Sequence, residues 1–199
     1  MRAGVLTAKQ SIKTINQAGS LLGAEVLISG SGPIGALVLL AAKLAGAKSI
    51  TMTDIRDAPL SVVSELGADK TFNVNSGASA LIDEDNPRGS FDVAFDASGS
   101  LQAVLTAINN IRRGGSLIQI GTFAEPNISL PSDQLMVKEI IMKSSFRFDK
   151  EFAWAVDYLA KNRIDVLPLL THTFPMEAAN KAFLTASDRE NAMKVQLTF

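Results

Sequence analysis

The sequence contains no cysteine and only one histidine, His172. Without thiols there is no disulfide framework, no thiolate nucleophile and no cysteine ligand for zinc, and one imidazole cannot build a histidine-rich metal cluster. An excess of charge of either sign is also missing, because 19 Lys and Arg face 20 Asp and Glu, scattered along the chain. No electrostatic footprint for nucleic acid or an anionic membrane results, and both are excluded as principal partners. The longest apolar stretch, Ile34 to Ala42, is well short of the roughly 20 residues that span a bilayer. Met1-Arg2 is not followed by the apolar core of a signal peptide. A cytoplasmic protein without a membrane span is therefore expected. What chemistry remains must come from a bound cofactor, or there is none.

A chain of 199 residues is ample for one core and short for a two-domain enzyme, since domains usually run about 100 to 200 residues. Short apolar runs rich in Val, Ile and Phe alternate with longer helical patterns, the signature of βαβ units and a parallel sheet. The pattern predicts strands at Glu25-Ser29, Ser49-Thr53, Lys70-Val74, Phe91-Asp96, Ser116-Ile120 and Glu139-Ser145. Helices are predicted at Pro33-Ala45, Pro59-Leu66, Leu101-Ile111, Lys150-Lys161 and Met176-Thr185. The first strands are apolar almost throughout, as expected where helices cover both faces of a sheet. A doubly wound α/β fold follows. Ser76 to Ser90, with Gly77, Pro87, Gly89 and the acidic Asp83-Glu84-Asp85, reads as a solvated connection rather than a metal site.

The main signal is Gly30-Ser31-Gly32-Pro33-Ile34-Gly35. Alone, a G-x-G-x-x-G match is weak, but here it follows an apolar strand and opens an apolar helix, the setting that the motif requires. Gly30 permits the tight turn, Gly32 lets backbone approach a pyrophosphate, and Gly35 lets helix and strand pack closely. Pro33 suits a first helical turn, where its missing N–H would have had no partner. With Ile34, these residues present free N–H groups and the positive end of the helix dipole to an anion. The expected ligand is a dinucleotide.

Asp54 ends the second strand about 20 residues after the glycines, where a carboxylate can accept hydrogen bonds from the adenosine ribose. Arg56 cuts the other way, because a guanidinium beyond Ile55 could pair with the 2′-phosphate of NADP. NAD is favoured, since that phosphate would also sit against Asp54. Two further strand ends, Ala97-Ser98-Gly99 and Ile120-Gly121-Thr122, should face the same crevice. Their small residues either let a cofactor pass close to the backbone or simply make turns. Asp92, Asp96 and Asp157 read as turn formers or helix-surface acids, and His172 as a structural residue lacking a catalytic partner. No catalytic residue and no metal ligand is assigned.

Together, Gly23 through Gly35, Thr53-Asp54, Glu65-Leu66-Gly67-Ala68-Asp69 and Phe91 through Gly99 resemble the medium-chain, zinc-dependent alcohol and polyol dehydrogenases. Ser145-Phe146-Arg147-Phe148, Ile164-Asp165-Val166 and Pro168 through Pro175 are similar to the sorbitol and L-idonate 5-dehydrogenase branch. The resemblance implies a Rossmann sheet of six parallel strands in order 3-2-1-4-5-6, with Phe146 and Arg147 near the nicotinamide. It implies a linking helix over 1–24, a dinucleotide-binding domain over 25–164, and a segment over 165–199 that returns to a catalytic domain. That domain, of roughly 150 residues and carrying the zinc ligands in the family, has no counterpart in the sequence. A polyol or sugar-acid substrate is expected only together with it, and the isolated chain is expected to be inactive. The sixth strand, with Ile140, Ile141 and Met142 in succession, is an apolar sheet edge and predicts a homodimer.

Two other classes stay open. One is a stand-alone NAD(H)-binding or oligomerisation module without catalysis. The other is an S-adenosylmethionine-dependent methyltransferase, which also uses a glycine loop and a ribose-binding acid.

Overall fold

A computed structural model describes residues 2–76, 89–147, 151–188 and 190–199. Positions 77–88, which include most of the expected connection with its three acids, lie outside the described residues, as does Phe148. In chain order the elements begin with α1 (Arg2–Ala18), β1 (Glu25–Ser29), α2 (Pro33–Leu44), β2 (Ser49–Asp54), α3 (Asp57–Glu65) and β3 (Lys70–Asn73). They continue with β4 (Phe91–Asp96), α4 (Leu101–Asn110), β5 (Ile111–Gln119), α5 (Ser132–Val137), β6 (Ile141–Ser144) and α6 (Glu151–Ala160). Last come β7 (Leu170–Pro175), α7 (Ala179–Ser187) and β8 (Lys194–Thr198).

The first six strands form one parallel sheet in the order β3-β2-β1-β4-β5-β6, the expected arrangement. Because side chains alternate along a strand, neighbours in sequence enter opposite cores. Val26, Ile28, Val93, Phe95 and Ile118 join α2 residues such as Val38 and Leu39 on one face. Leu27, Ala94 and Leu117 meet Val104, Ala107 and Ile108 of α4 on the other. Burial on both faces is what makes these strands apolar without alternation. The first core also takes in Ile12 and Ile15 of α1 and Ala155 and Leu159 of α6.

The structure departs from expectation at strand ends. The fifth strand starts at Ile111 rather than Ser116, because the ladder pairs Phe91 with Ile111, breaks register, and resumes at Val93 and Ser116. The sixth is shorter than Glu139-Ser145. Glu139 takes a left-handed φ of 54°, its N–H bonds to the Met136 carbonyl and the Ile140 N–H reaches back to the Leu135 carbonyl. That pair of bonds is a Schellman stop to α5, so the strand cannot begin until Ile141. The predicted helix at Met176-Thr185 opens with a short 3-10 turn over Met176–Ala178 and runs on to Ser187. Helix α5 and the parallel pair β7 and β8, which form a separate two-stranded sheet, were not predicted. The alternation of Leu170, His172 and Phe174 with exposed Thr171 and Thr173 is a strand pattern that could have been read.

Among the described residues no helix is long and apolar enough to cross a membrane.

Candidate functional site

In an open doubly wound sheet the ligand crevice lies beyond the carboxyl ends of the strands, where the strand order reverses. Here that point is β1, which lies between β2 and β4. Its last residue leads into Gly30, whose N–H donates to the Thr53 carbonyl of β2 at 2.7 Å. Gly30 has a φ of 97° and no room on its other side, since a Cβ there would lie 3.0 Å from the backbone of Ala97 and Ser98. The turn is wedged between the ends of both neighbours of β1. Gly35 is tighter still, with an added Cβ 1.8 Å from the Gly30 carbonyl oxygen. Helix α2 can therefore start directly against the turn only because position 35 has no side chain.

Gly32 is different. A Cβ there would meet nothing within 4 Å, so packing inside the protein does not demand glycine and the space above it is open. It is the N-cap of α2, with Pro33 next and no side chain capping the helix. The N–H groups of a first helical turn have no intrahelical partners, and among the described residues no side-chain capping bond is made here. An open, uncapped and positively polarised helix start is an anion site.

Asp54 stands beside it. Its Oδ2 accepts from the Ser31 N–H at 2.8 Å, and its Oδ1 accepts from the N–H groups of Ile55 at 2.8 Å and Arg56 at 3.1 Å. The Arg56 Nε also donates to Oδ1, at 3.4 Å. The carboxylate thus ties the end of β2 to the glycine turn while remaining 9% exposed. Ile55 projects outward at 59% exposure, and Asn75 Nδ2 holds its carbonyl at 3.1 Å. The Ser31 hydroxyl, fully buried, has no hydrogen-bond partner among the described residues.

On the far side of β1 the organising residue is Asp96, which is fully buried. It accepts from the Ser98 N–H at 3.0 Å and hydroxyl at 2.6 Å, from the Gly99 N–H at 3.2 Å, and from Gln119 Nε2 at 2.7 Å. Gln119 Nε2 also reaches the Gly121 carbonyl at 2.6 Å. This network fastens the loops after β4 and β5 to each other. Their backbones touch: a Cβ on Gly121 would lie 2.2 Å from the Gly99 nitrogen, and one on Gly99 would lie 2.3 Å from the Thr122 carbonyl oxygen. The smallness of Gly99 and Gly121 is accounted for by this mutual contact. The sequence reading placed Asp96 as a turn former, which it is, but missed Gln119. Nothing local marks a strand-end glutamine as the link between two loops.

Beyond β6, Ser145 continues the ladder through its N–H to the Gln119 carbonyl at 2.8 Å. Phe146 is 71% exposed, and Arg147, with a left-handed φ of 56°, sets its guanidinium 5.3 Å from the Phe146 ring centroid. The candidate residues therefore sit at the carboxyl ends of β1, β2, β4, β5 and β6, along one edge of the sheet. His172 does not join them. It lies on β7 in the other sheet, stacked at 6.3 Å on Phe174, with Nδ1 3.0 Å from Thr171 Oγ1. Among the described residues no group of three His, Asp or Glu could hold a metal ion. Asp157 of α6 pairs with Lys161, just past the end of that helix, as a helix-surface acid. Asp92 lies at the opposite, amino-terminal end of β4 and accepts from the Glu25 N–H and from Arg112.

Strand order, glycine turn and uncapped helix define a doubly wound α/β domain of the Rossmann type. The chain belongs to the zinc-binding dehydrogenase family, whose pattern matches residues 33–161. It is 38% identical over 192 residues to L-idonate 5-dehydrogenase (NAD(P)(+)) of Escherichia coli K12, covering 95% of this chain and 54% of that protein. To the sorbitol dehydrogenase of Mus musculus it is 35% identical over 168 residues, 83% of this chain and 47% of that one. The crystal structure of the Escherichia coli L-idonate 5-dehydrogenase superposes with a TM-score of 0.90 at 37% identity, covering 98% of this chain and 56% of its own. The chain spans about half the length of the curated relatives it matches.

Proposed function

We propose that this chain is the NAD(H)-binding part of a zinc-type polyol dehydrogenase, in which hydride passes between NAD and a secondary alcohol of a polyol or sugar acid. The observation that carries the reading is the open, uncapped start of α2 at Gly32 beside the Asp54 carboxylate. The pyrophosphate would be held by backbone N–H groups of Gly32, Ile34 and Gly35, with Pro33 shaping the turn. Asp54 would accept from the adenosine ribose, with Ile55 and Arg56 bordering the adenine. Ala97, Ser98 and Gly99, then Ile120, Gly121 and Thr122, and finally Phe146 and Arg147 would line the nicotinamide half. When bound, the nicotinamide supplies the hydride acceptor. The chain's own residues bind and orient it.

Zinc does not fit these residues. Its usual donors are cysteine, histidine and carboxylate in groups of three or four, whereas the chain has no cysteine and its one histidine lies on β7. No step through a metal is assigned to this chain. In this reading residues 1–24 link to, and residues 165–199 return to, a catalytic part that carries the metal and selects the substrate. Homodimerisation through β6 completes the reading, supported by an edge strand that exposes 51% of Ile141.

The test is cofactor choice. A 2′-phosphate would have to sit against Asp54, so NADH should bind at least about tenfold tighter than NADPH, equivalent to roughly 1.4 kcal/mol. Asp54→Ala should shrink the ratio, read by NADH fluorescence titration. Failure to bind NADH, or binding of S-adenosylmethionine in its place, would reject the assignment.

A further inference from the structure

Strand β6 is the least supported part of the crevice. It has one sheet neighbour, β5, and all four of its residues are exposed. Yet three residues beyond it, Arg147 holds a left-handed backbone that an arginine keeps only when its surroundings impose it. The residues just before it are tied to α1, 126 or more residues away in sequence.

Three ties join the two. Lys143 of β6 donates its ammonium to the Gln17 carbonyl at 2.9 Å, near the helix C-terminus where carbonyls lack intrahelical partners. Lys13 donates to the Phe146 carbonyl at 3.3 Å. Between them lies a buried pair of hydroxyls, Thr14 Oγ1 and Ser145 Oγ, 3.0 Å apart. Thr14 Oγ1 also lies 2.8 Å from the Gln10 carbonyl, so the two hydroxyls and that carbonyl form one hydrogen-bonded chain from α1 to the end of β6. Lys13, Thr14 and Gln17 fall on one face of the helix. They grip positions 143, 145 and 146 in succession, immediately before Arg147.

We infer that Thr14 and Ser145 are positioning residues, through which α1 fixes the Phe146-Arg147 turn for the nicotinamide half of the cofactor. In a doubly wound sheet each half binds one mononucleotide. Asp54 stands on the β1-β2-β3 half, so the turn after β6 faces the other mononucleotide. The inference rests on the NAD(H) reading above and adds to it a role for a helix that never reaches the crevice. Neither hydroxyl touches ligand; both act through the backbone of residues 145 to 147.

The experiment compares two ligands that share the adenosine half. NADH and ADP-ribose are titrated against the full chain, wild type and Thr14→Val, which keeps the side-chain shape but removes the hydroxyl. The variant should weaken NADH about five- to tenfold, the loss expected of a buried hydrogen bond, and leave ADP-ribose within about twofold. Thr14→Ser, which keeps the hydroxyl, should restore NADH binding. A role confined to folding would lower the thermal midpoint and weaken both ligands alike. If Thr14→Val does not fold, Ser145→Ala removes the same bond from the other side, leaving Thr14 its Gln10 carbonyl, and should give the same selective loss. An NADH to ADP-ribose ratio equal to wild type in the folded variant overturns this inference and leaves the cofactor reading intact. A wild-type chain that binds neither ligand overturns the cofactor reading and the inference with it.

Discussion

Two single-methyl substitutions at the start of α2 should fail in opposite ways. In Gly35→Ala the new Cβ would lie 1.8 Å from the Gly30 carbonyl oxygen and 2.9 Å from its carbonyl carbon. Both are backbone atoms of a turn already wedged against β2 and β4, so neither can swing aside. Relief requires α2 to move off the turn by on the order of 1.5 Å, since non-bonded atoms settle at about 3.5 Å. That movement loosens the buried residues Ala36, Leu37, Val38 and Leu39 from the sheet. Overpacking a core costs roughly 1–3 kcal/mol, and a clash with immobile backbone belongs at the top of that range, about 3 kcal/mol. Against a total of roughly 5–15 kcal/mol, and with a urea slope of about 1–3 kcal/mol/M, the midpoint should fall by at least about 1 M. Gly32→Ala adds its methyl to open space at a φ of −67° that any residue adopts. Its stability cost should stay within about 1 kcal/mol, that of exchanging a favourable glycine N-cap for alanine. The methyl would, however, stand over the helix start, and NADH affinity should drop at least about tenfold. Urea unfolding by circular dichroism and NADH titration measure the two effects separately. A wild-type midpoint in Gly35→Ala would refute the packing argument, and undiminished NADH binding by folded Gly32→Ala would refute the anion site.

A second expectation concerns acid stability. Burial by itself raises the Asp92 carboxyl, but the Glu25 N–H, Arg112 and Lys48 outweigh it and hold its pKa below the ordinary value. A depressed folded pKa contributes stability above the unfolded pKa of about 3.9, lost as pH falls through the folded value. Asp92→Asn should therefore be less stable than wild type at pH 7, with the gap closing below about pH 4; a gap independent of pH in denaturation curves would contradict this. Light scattering at micromolar concentration should give a dimer, converted to monomer by Ile141→Lys on the β6 edge, and a monomeric wild type would count against that interface. The isolated chain should bind NADH without oxidising sorbitol, L-idonate or simple alcohols, and chelator-sensitive turnover by the pure protein would overturn the assignment of zinc to another part of the enzyme.

Most of the sheet was readable because the reasons for it are local. An unbroken apolar run such as Val26-Leu27-Ile28 names a strand covered on both faces, and the two cores take its residues alternately. Element ends were less readable. The stop to α5 uses Glu139 in a conformation that favours glycine, paired with Arg113 at 2.9 Å, and nothing in the residue type announces it. Lys138 reads as one more surface lysine. In the fold it donates to the carbonyls of Ile108, Asn109 and Ile111 at the end of α4, where burial lowers its pKa.

The candidate site divides by the same rule. Gly30 and Gly35 constrain each other within one turn, so the motif carries its own explanation and can be recognised without a fold. Asp54 meets Ser31 across 23 residues. That separation is still legible, because one strand, one helix and the next strand fix it. Asp96 and Gln119 are also 23 apart, yet they belong to β4 and β5, and no motif spacing marks the pair. Thr14 and Ser145 are separated by 131 residues and meet only through the packing of α1 beside the far end of the sheet. Residues that would touch the ligand directly belong to the first kind, and residues that hold them in place belong to the last. A sequence can therefore disclose what a crevice binds while concealing what sets its precision, which is why the sharpest test of this site lies at Thr14, far from the glycine loop.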